Sequence, residues 1–469
     1  MSKLLKNWAY LVVSDVSQSL ISFLVFMMLA RKLSPEGYGT LNIILALTAL
    51  FSIFSINFSA NTVITREVTL HPQATKKIIK KVLVIRSITL IISVIALILY
   101  LFYTGETRTE YLIATSIIIF ATLGWDLAES IAFGHFVTKF TTYLSIVAGL
   151  IWFIIIFLIP KENVNVGLVL IIYALIFLLR SFAYLGFSFK KYVNDNNDTY
   201  PISIKSILLM SMPFLWIKIM GAFSDQVPIL LLKGNSGATE VGYYALGNRF
   251  VMPITLAVST GLRAMFPFMT KSFQEEREKF NKNMEEGFSM VLIMGSSIAM
   301  LLTIFSKIWI PLLFGKAYLG SVLAFNYQAW LGVIFCFDLI IVAVLAATFR
   351  QNVLAIIMSI DVLIIFPLMY LGSAHGAEGM AIAKLAGAFI SIMYHVVVVM
   401  VVLKANLKSW TFLFSCLYFA GMMISTAFIN ITGIKIIMVI SLLTGFLVFK
   451  NSPLRQMLNT IYIKVRNNI

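Results

Sequence analysis

"ARKLSPEGYGTLNIILAL" (Ala30–Leu47) is a short polar break that passes through Gly37-Tyr38 into a long apolar run. "GATEVGYYALGNRFVMPI" (Gly237–Ile254) repeats the pattern with Gly242-Tyr243. A single offset of 205 carries Gly37-Tyr38 onto Gly242-Tyr243, Thr65-Arg66 onto Thr270-Lys271 and Lys77 onto Lys282. An ungapped register over that distance predicts an internal repeat.

The medium around the repeat follows from composition. Of 469 residues, 60% are hydrophobic and 12% charged, and mean hydropathy is +0.94. A soluble chain carries about 25% charged residues. Apolar runs near 20 residues recur along the whole length, so the expected fold is an all-α polytopic membrane protein. About 14 transmembrane helices are expected, roughly at 8–29, 38–63, 84–103, 111–134, 143–159, 167–187, 206–232, 241–268, 287–310, 322–347, 353–372, 380–402, 410–430 and 434–449. The first run, Trp8 to Leu29, is polar in its middle and has no small-residue cleavage site, so it reads as a span and not as a signal peptide. Six spans precede the loop around Lys190–Lys205 and eight follow. The expected organisation is a six-helix bundle over 1–190, a linker over 191–205, a second six-helix bundle over 206–405, and a C-terminal helix pair and tail over 406–469. Repeats in membrane proteins point to transporters with the site between the halves. Cys336 and Cys416 both sit in apolar runs, which excludes a disulfide framework and a zinc site. No metal or cofactor is expected.

The net charge is +16. With the N-terminus inside, inner segments hold 22 Lys and Arg, outer segments 8 when Lys307 and Lys435 at span ends are counted with them, and the spans the remaining 6. That bias places both termini in the cytoplasm. The basic balance is therefore topological, with membrane lipids as its partner and no nucleic acid. The outer loops are short. The most polar inner segments, "TREVTLHPQATKKIIKK" (Thr65–Lys81) and "TKSFQEEREKFNKNMEE" (Thr270–Glu286), read as charged loops.

Polar stripes mark the spans. Thr48, Ser52, Ser55, Ser59, Thr62 and Arg66 follow steps of four, three, four, three and four, which is one helix face. Asp15, Gln18, Ser19 and Ser22 share a face of the first span, and Thr122, Asp126, Glu129 and Ser130 mark the fourth. The seventh carries Lys218, Gly221 and Asp225, the eighth Arg249, Leu256, Thr260 and Arg263, and the twelfth Lys384, Gly387, Ser391 and His395. Ser52, Ser55 and Ser59 suit either helix packing or a wet lumen. Charges are costlier, about 2.5–3.5 kcal/mol each at a helix centre. Arg86, Lys384 and Arg263 are expected to snorkel toward headgroups. Asp15, Lys218, Asp225, Arg249, Asp338 and Asp361 lie deeper, where a lumen role competes with mutual pairing. His395 reads as a packed histidine or a proton relay. No phosphate loop, nucleophile elbow or catalytic carboxylate pair stands out, so no catalytic residue is expected and the chain does not read as an enzyme.

"ARKLSPEGYG", "NTVITREV", "FSDQVPILLLKGNSGATEVGYYALGNRF" and "HGAEGMAIAKLAGAF", in this order and spacing, resemble the polysaccharide flippases. These are the O-antigen and capsule repeat-unit (Wzx-type) translocases of the multidrug/oligosaccharidyl-lipid/polysaccharide exporter superfamily. The resemblance covers most of the chain. It implies two six-helix bundles facing each other across a central cavity. It also implies an undecaprenyl-diphosphate-linked oligosaccharide as substrate, turned outward across a bacterial inner membrane. The carry-over falls most directly on Asp225, as an ion-coupling residue for H⁺ or Na⁺, with Asp15 and His395 as further candidates. Arg66, Arg249 and Arg263 are the candidate cations of the cavity, and Lys218 joins them from the stripe reading. Lipid II flippases carry more arginine in the first span, where this chain offers Asp15, which argues against lipid II. Glycan polymerase machinery is a partner to expect.

Two other classes compete. A multidrug exporter would share the fold but favour an acidic cavity. A polytopic glycan polymerase or ligase would need long extramembrane loops, which the outer segments lack.

Overall fold

The computed structural model describes residues 3–137, 139–193, 201–348, 350–404 and 410–428. Among the described residues every regular element is a helix. In order they are α1 (Lys3–Lys32), α2 (Pro35–Asn57), α3 (Asn61–Leu70), α4 (Thr75–Tyr103), α5 (Thr109–Gly134), α6 (Lys139–Leu158), α7 (Val166–Tyr192), α8 (Ile204–Ser236), α9 (Ala238–Glu275), α10 (Arg277–Ile304), α11 (Ser306–Phe314), α12 (Val322–Ala347), α13 (Gln351–Ser373), α14 (Gly376–Leu403) and α15 (Trp410–Phe428). Ten segments among the described residues are long and apolar enough to cross a membrane. α1 and α9 are helices of 30 and 38 residues. The protein is thus an all-α, multi-pass membrane protein. The expected last span, 434–449, lies outside the described residues.

The stretch Ala30–Leu47 folds by simple rules. Ser34 is the N-cap of α2, and its hydroxyl accepts from the Gly37 amide at 3.1 Å. Pro35 takes the first helical position and Glu36 the first turn, where proline and negative charge are favoured. A Cβ on Gly39 would stand 1.8 Å from the Ala238 carbonyl oxygen and 2.9 Å from the Gly242 nitrogen. One on Gly242 would stand 2.1 Å from the Pro35 carbonyl oxygen. The two echoing stretches therefore touch each other, backbone to backbone, at an approach only glycine permits. The register pairs Gly37 with Gly242, but the contact is made by Gly39.

More ties hold this junction. Glu240 in the first turn of α9 accepts from the Ala377 amide at 2.7 Å, capping α14 beside Gly376, whose φ is +71°. At the end of α8, the Asn235 amide donates to Ser373 Oγ and the Ser236 hydroxyl to the Ser373 carbonyl, both at 2.6 Å.

Two expectations need correction. The charged segments Thr65–Lys81 and Thr270–Glu286 are not loops: the first runs through α3, one 3-10 turn at Pro72–Ala74 and α4, the second through the end of α9 into α10. Lys, Arg, Glu and Gln are strong helix formers, so the helices continue beyond their apolar stretches. The expected span 38–63 is in turn two helices, since the chain breaks at Phe58–Ala60 between α2 and α3. α9, which the register aligns with it, runs unbroken through the equivalent position at Arg263.

Contacts group the chain into two units, Met1–Arg249 with Met358–Met380, and Phe250–Ile357 with Ala381–Ile469. In the first unit, Ile64, Val68, Ile79, Val82, Leu127 and Ile131 join α3, α4 and α5 in one core. α5 packs closely on α7, where a Cβ on Gly124 would meet Ser181 Oγ at 2.4 Å. Lys32, the last residue of α1, donates to the carbonyls of Ile156 at 2.7 Å and Phe157 at 3.1 Å, serving the C-terminus of α6. In the second unit α10 packs on α12 and α15, with Phe288 stacked on Phe337 at 4.2 Å and the Ser297 and Tyr418 hydroxyls 2.8 Å apart.

Candidate functional site

The break between α2 and α3 leaves backbone groups without helical partners, and side chains supply them. Ser211 Oγ of α8 accepts from the Ala60 amide at 2.9 Å. Arg86 of α4 is fully buried. It donates to Ser59 Oγ at 2.9 Å, the Ser59 carbonyl at 3.1 Å and the Leu123 carbonyl at 3.1 Å, and pairs with Asp126 at 2.5 Å. Arg86 was expected to snorkel; it stays inside because oxygens surround it. The Asn61 amide donates to Asp126 Oδ1 at 3.1 Å and to Glu129 Oε2 at 3.5 Å. Asp126 and Glu129 of the fourth expected span are thus tied to the break, while the Thr122 and Ser130 hydroxyls bond within their own helix.

The serine stripe of α2 is buried. Ser52 donates to the Thr48 carbonyl at 2.7 Å and Ser55 to the Ser52 carbonyl at 2.8 Å, while Ser59 bonds to Arg86. Ser52 and Ser55 thus return their hydroxyl protons to carbonyls of their own helix, while Ser59 serves Arg86. At its end the Arg66 side chain is 54% exposed and bonds to its neighbour Glu67 at 2.9 Å and to Met210 Sδ at 2.8 Å.

Arg249 is placed differently. Its guanidinium lies 3.4 Å from the centroid of the Phe26 ring, and one terminal nitrogen donates to Asn42 Oδ1 at 3.0 Å. Lys218 and Asp225 are both exposed on α8. The side chains of Asp15 and Arg263 lie outside what the structure describes. His395 is buried, its Nδ1 2.8 Å from Asp338 Oδ1, so the histidine is tied to a carboxylate of α12. Lys384, expected to snorkel, is buried as well, 5.4 Å from the Phe335 ring centroid. His135, beyond the end of α5, stacks on Tyr192 at 4.6 Å, and burial pushes its pKa below the usual histidine value.

One arginine escaped the sequence reading. Arg180 of α7 lies 3.9 Å over the Trp125 ring and 4.6 Å from that of Phe177. Its signal was present: Tyr173, Phe177, Arg180 and Tyr184 step by four, three and four. A search for polar stripes passes over a face that is aromatic on both sides of its single charge.

A model of the polysaccharide biosynthesis protein family matches residues 4–273, more than half of the 469-residue chain. The chain belongs to that family. A relative, the capsular polysaccharide biosynthesis protein CapF of Staphylococcus aureus, is 25% identical over 331 residues, which is 67% of this chain and 78% of the relative. Among solved structures, the lipid II flippase MurJ in an inward closed conformation superposes with a TM-score of 0.69 at 15% identity, covering 96% of this chain and 99% of MurJ. An inward-facing multidrug resistance MATE transporter of the MOP superfamily gives 0.61 at 13% identity, over 88% of this chain and 98% of that one. A mutant of the Vibrio cholerae MATE transporter VcmN gives 0.56 at 15% identity, with 88% and 98% covered. Likeness at such identities is one of fold, the fold that flippases and drug transporters of this superfamily share.

Within that fold this member of the polysaccharide biosynthesis family carries two kinds of sheltered cation, Arg86 fully buried and Arg180 and Arg249 half-buried. Arg86 is neutralised by Asp126. Arg180 and Arg249 lie on aromatic rings, and among the described residues no carboxylate forms an ion pair with either.

Proposed function

We propose that the protein is a flippase that moves an undecaprenyl-diphosphate-linked oligosaccharide repeat unit from the cytoplasmic to the outer leaflet of a bacterial inner membrane. Arg249 carries this reading. A guanidinium laid on a ring and held by a neutral amide is fixed in position without losing its charge, and such a group suits a bidentate phosphate. Family membership supplies the polysaccharide pathway, and the flippase fold supports lipid-linked cargo. Both termini are cytoplasmic on the loop charges. Transport proceeds by alternating access of two six-helix bundles, 1–190 and 206–405, about a central cavity, with 406–469 as an accessory pair.

A diphosphate carries about two negative charges, and an inside-negative potential acts with ~2.3 kcal/mol per charge per 100 mV. Outward movement of the bare headgroup is then favoured by about 4.6 kcal/mol at 100 mV. A cationic cavity that travels with the headgroup cancels this gain, so an ion entering down its gradient resets the carrier. Asp225 is the first choice to bind that H⁺ or Na⁺, with Asp15 and His395 behind it. The likeness in fold to MATE transporters supports one alternative, an ion-coupled multidrug exporter. The experiment is a deletion strain complemented with wild type or Arg249→Ala. Surface glycan should fall at least tenfold in the variant at equal protein in the membrane. Intact glycan in the deletion strain, with new drug sensitivity, would move the assignment to the exporter.

A further inference from the structure

Arg86, fully buried, and Arg180, half-buried, both belong to the first unit, and they are treated in opposite ways. Arg86 has oxygen acceptors on every side, including a carboxylate. That is how a guanidinium is held when its task is structural, since each donor left bare in a low-dielectric interior is costly. Arg180 has no such shell. Its Nε is buried, and among the described residues no acceptor lies within hydrogen-bond distance of it. Glu129 stands close enough to act on it electrostatically without pairing with it. Trp125 and Phe177 contact the guanidinium through their rings, an arrangement that holds the cation while its in-plane N–H donors remain available.

The setting is built rather than incidental. From Arg249 the rings continue: Phe26 meets Trp152 edge-on at 5.5 Å, Trp152 meets Tyr173 at 4.9 Å, and Tyr173 stacks toward Phe177 at 5.8 Å. Tyr173 lies within electrostatic reach of both Arg180 and Arg249. A ladder of rings from α1, α6 and α7 thus carries a guanidinium at each end. An oxyanion beside Arg180 would give its bare Nε donor an acceptor.

We propose that Arg180 is an oxyanion-binding residue of the transported substrate, a second cationic subsite linked by the aromatic ladder to Arg249. The inference deepens the flippase reading and rests on it for the identity of the cargo. The oxyanion has two possible sources in such a cargo, the diphosphate of the carrier or an acidic sugar of the glycan, which share the chemistry of planar or tetrahedral oxygens facing a guanidinium fork.

Trp125 supplies the readout, because an anion drawn onto Arg180 alters the cation lying on its ring. Full-length protein in lipid nanodiscs would be titrated with inorganic diphosphate and, separately, with glucuronate, taking the emission of Trp125 as the difference from Trp125→Phe. A saturable response to either is expected, at least tenfold weaker in Arg180→Gln, and the probe that responds names the source. Glu129→Gln, which removes the nearby negative charge, should tighten binding and guards against a misfolded arginine variant. No response to either probe, or equal affinities in wild type, Arg180→Gln and Glu129→Gln, overturns the subsite. Binding is measured without transport, so intact glycan in the deletion strain would sink the flippase reading and leave this result standing.

Discussion

At the scale of single residues, what decides a buried charge is whether oxygen surrounds it. Arg86 is completely buried and bonded to Ser59, Leu123 and Asp126, so its removal strands the Asp126 carboxylate and the open carbonyl of Ser59. Breaking one side of a buried pair costs about 3–5 kcal/mol, whereas replacing both partners by apolar groups is often neutral. Arg86→Ala should therefore lower the detergent-solubilised melting temperature sharply, and Arg86→Met with Asp126→Leu should recover most of it. Equal melting temperatures for the single variant and wild type would show that the pair does not hold the break. The sequence showed that charges sit in these spans, because lysines, arginines and carboxylates stand out in apolar runs. It could not tell Arg86 from Arg180 from Arg249, since the difference lies in partners from other helices. Ser52 and Ser55 illustrate the same limit: their spacing fixes a face, and whether that face meets water or another helix depends on the neighbours.

Among elements, the start of α2 was the most readable and the break after it the least. Ser34, Pro35 and Glu36 are local signals, each acting within one turn. The break at Phe58–Ala60 has no proline or glycine to announce it; it persists because Arg86 and Ser211 arrive from α4 and α8. The echo between Ala30–Leu47 and Gly237–Ile254 predicts a repeat from the sequence; what the structure adds is that its glycines are a contact. Gly39→Val places a side chain where the Ala238 carbonyl stands at 1.8 Å from an ideal Cβ, so α2 and the start of α9 must separate. Overpacking of this kind costs about 1–3 kcal/mol or more. Gly37→Val, whose Cβ would have its nearest neighbour at 3.5 Å, is the control and should be far milder. Thermal unfolding of the two variants side by side tests this; equal losses would deny the backbone approach at Gly39.

For the whole molecule, the loop charges, 22 against 8, predict an orientation because lipid acts on them. The way α2, α8, α9, α13 and α14 are tied at one end was not legible in the sequence, because Glu240 and Ala377 are separated by 137 positions in the chain and Asn235 and Ser373 by 138. On the orientation drawn from the charges, this junction lies at the outer face. A flippase that releases its cargo outward must open whatever closes that face, and helix ends joined by hydrogen bonds and glycine contacts part more readily than fully interlocked helix faces. Asn235→Cys with Ser373→Cys replaces a 2.6 Å hydrogen bond by a pair that an oxidant can join. Surface glycan should stop appearing when cells carrying this pair are oxidised and resume on reduction, while either single cysteine behaves as wild type. Undiminished export with the pair fully joined would mean that the cargo leaves without this junction opening, and alternating access would need another outer gate.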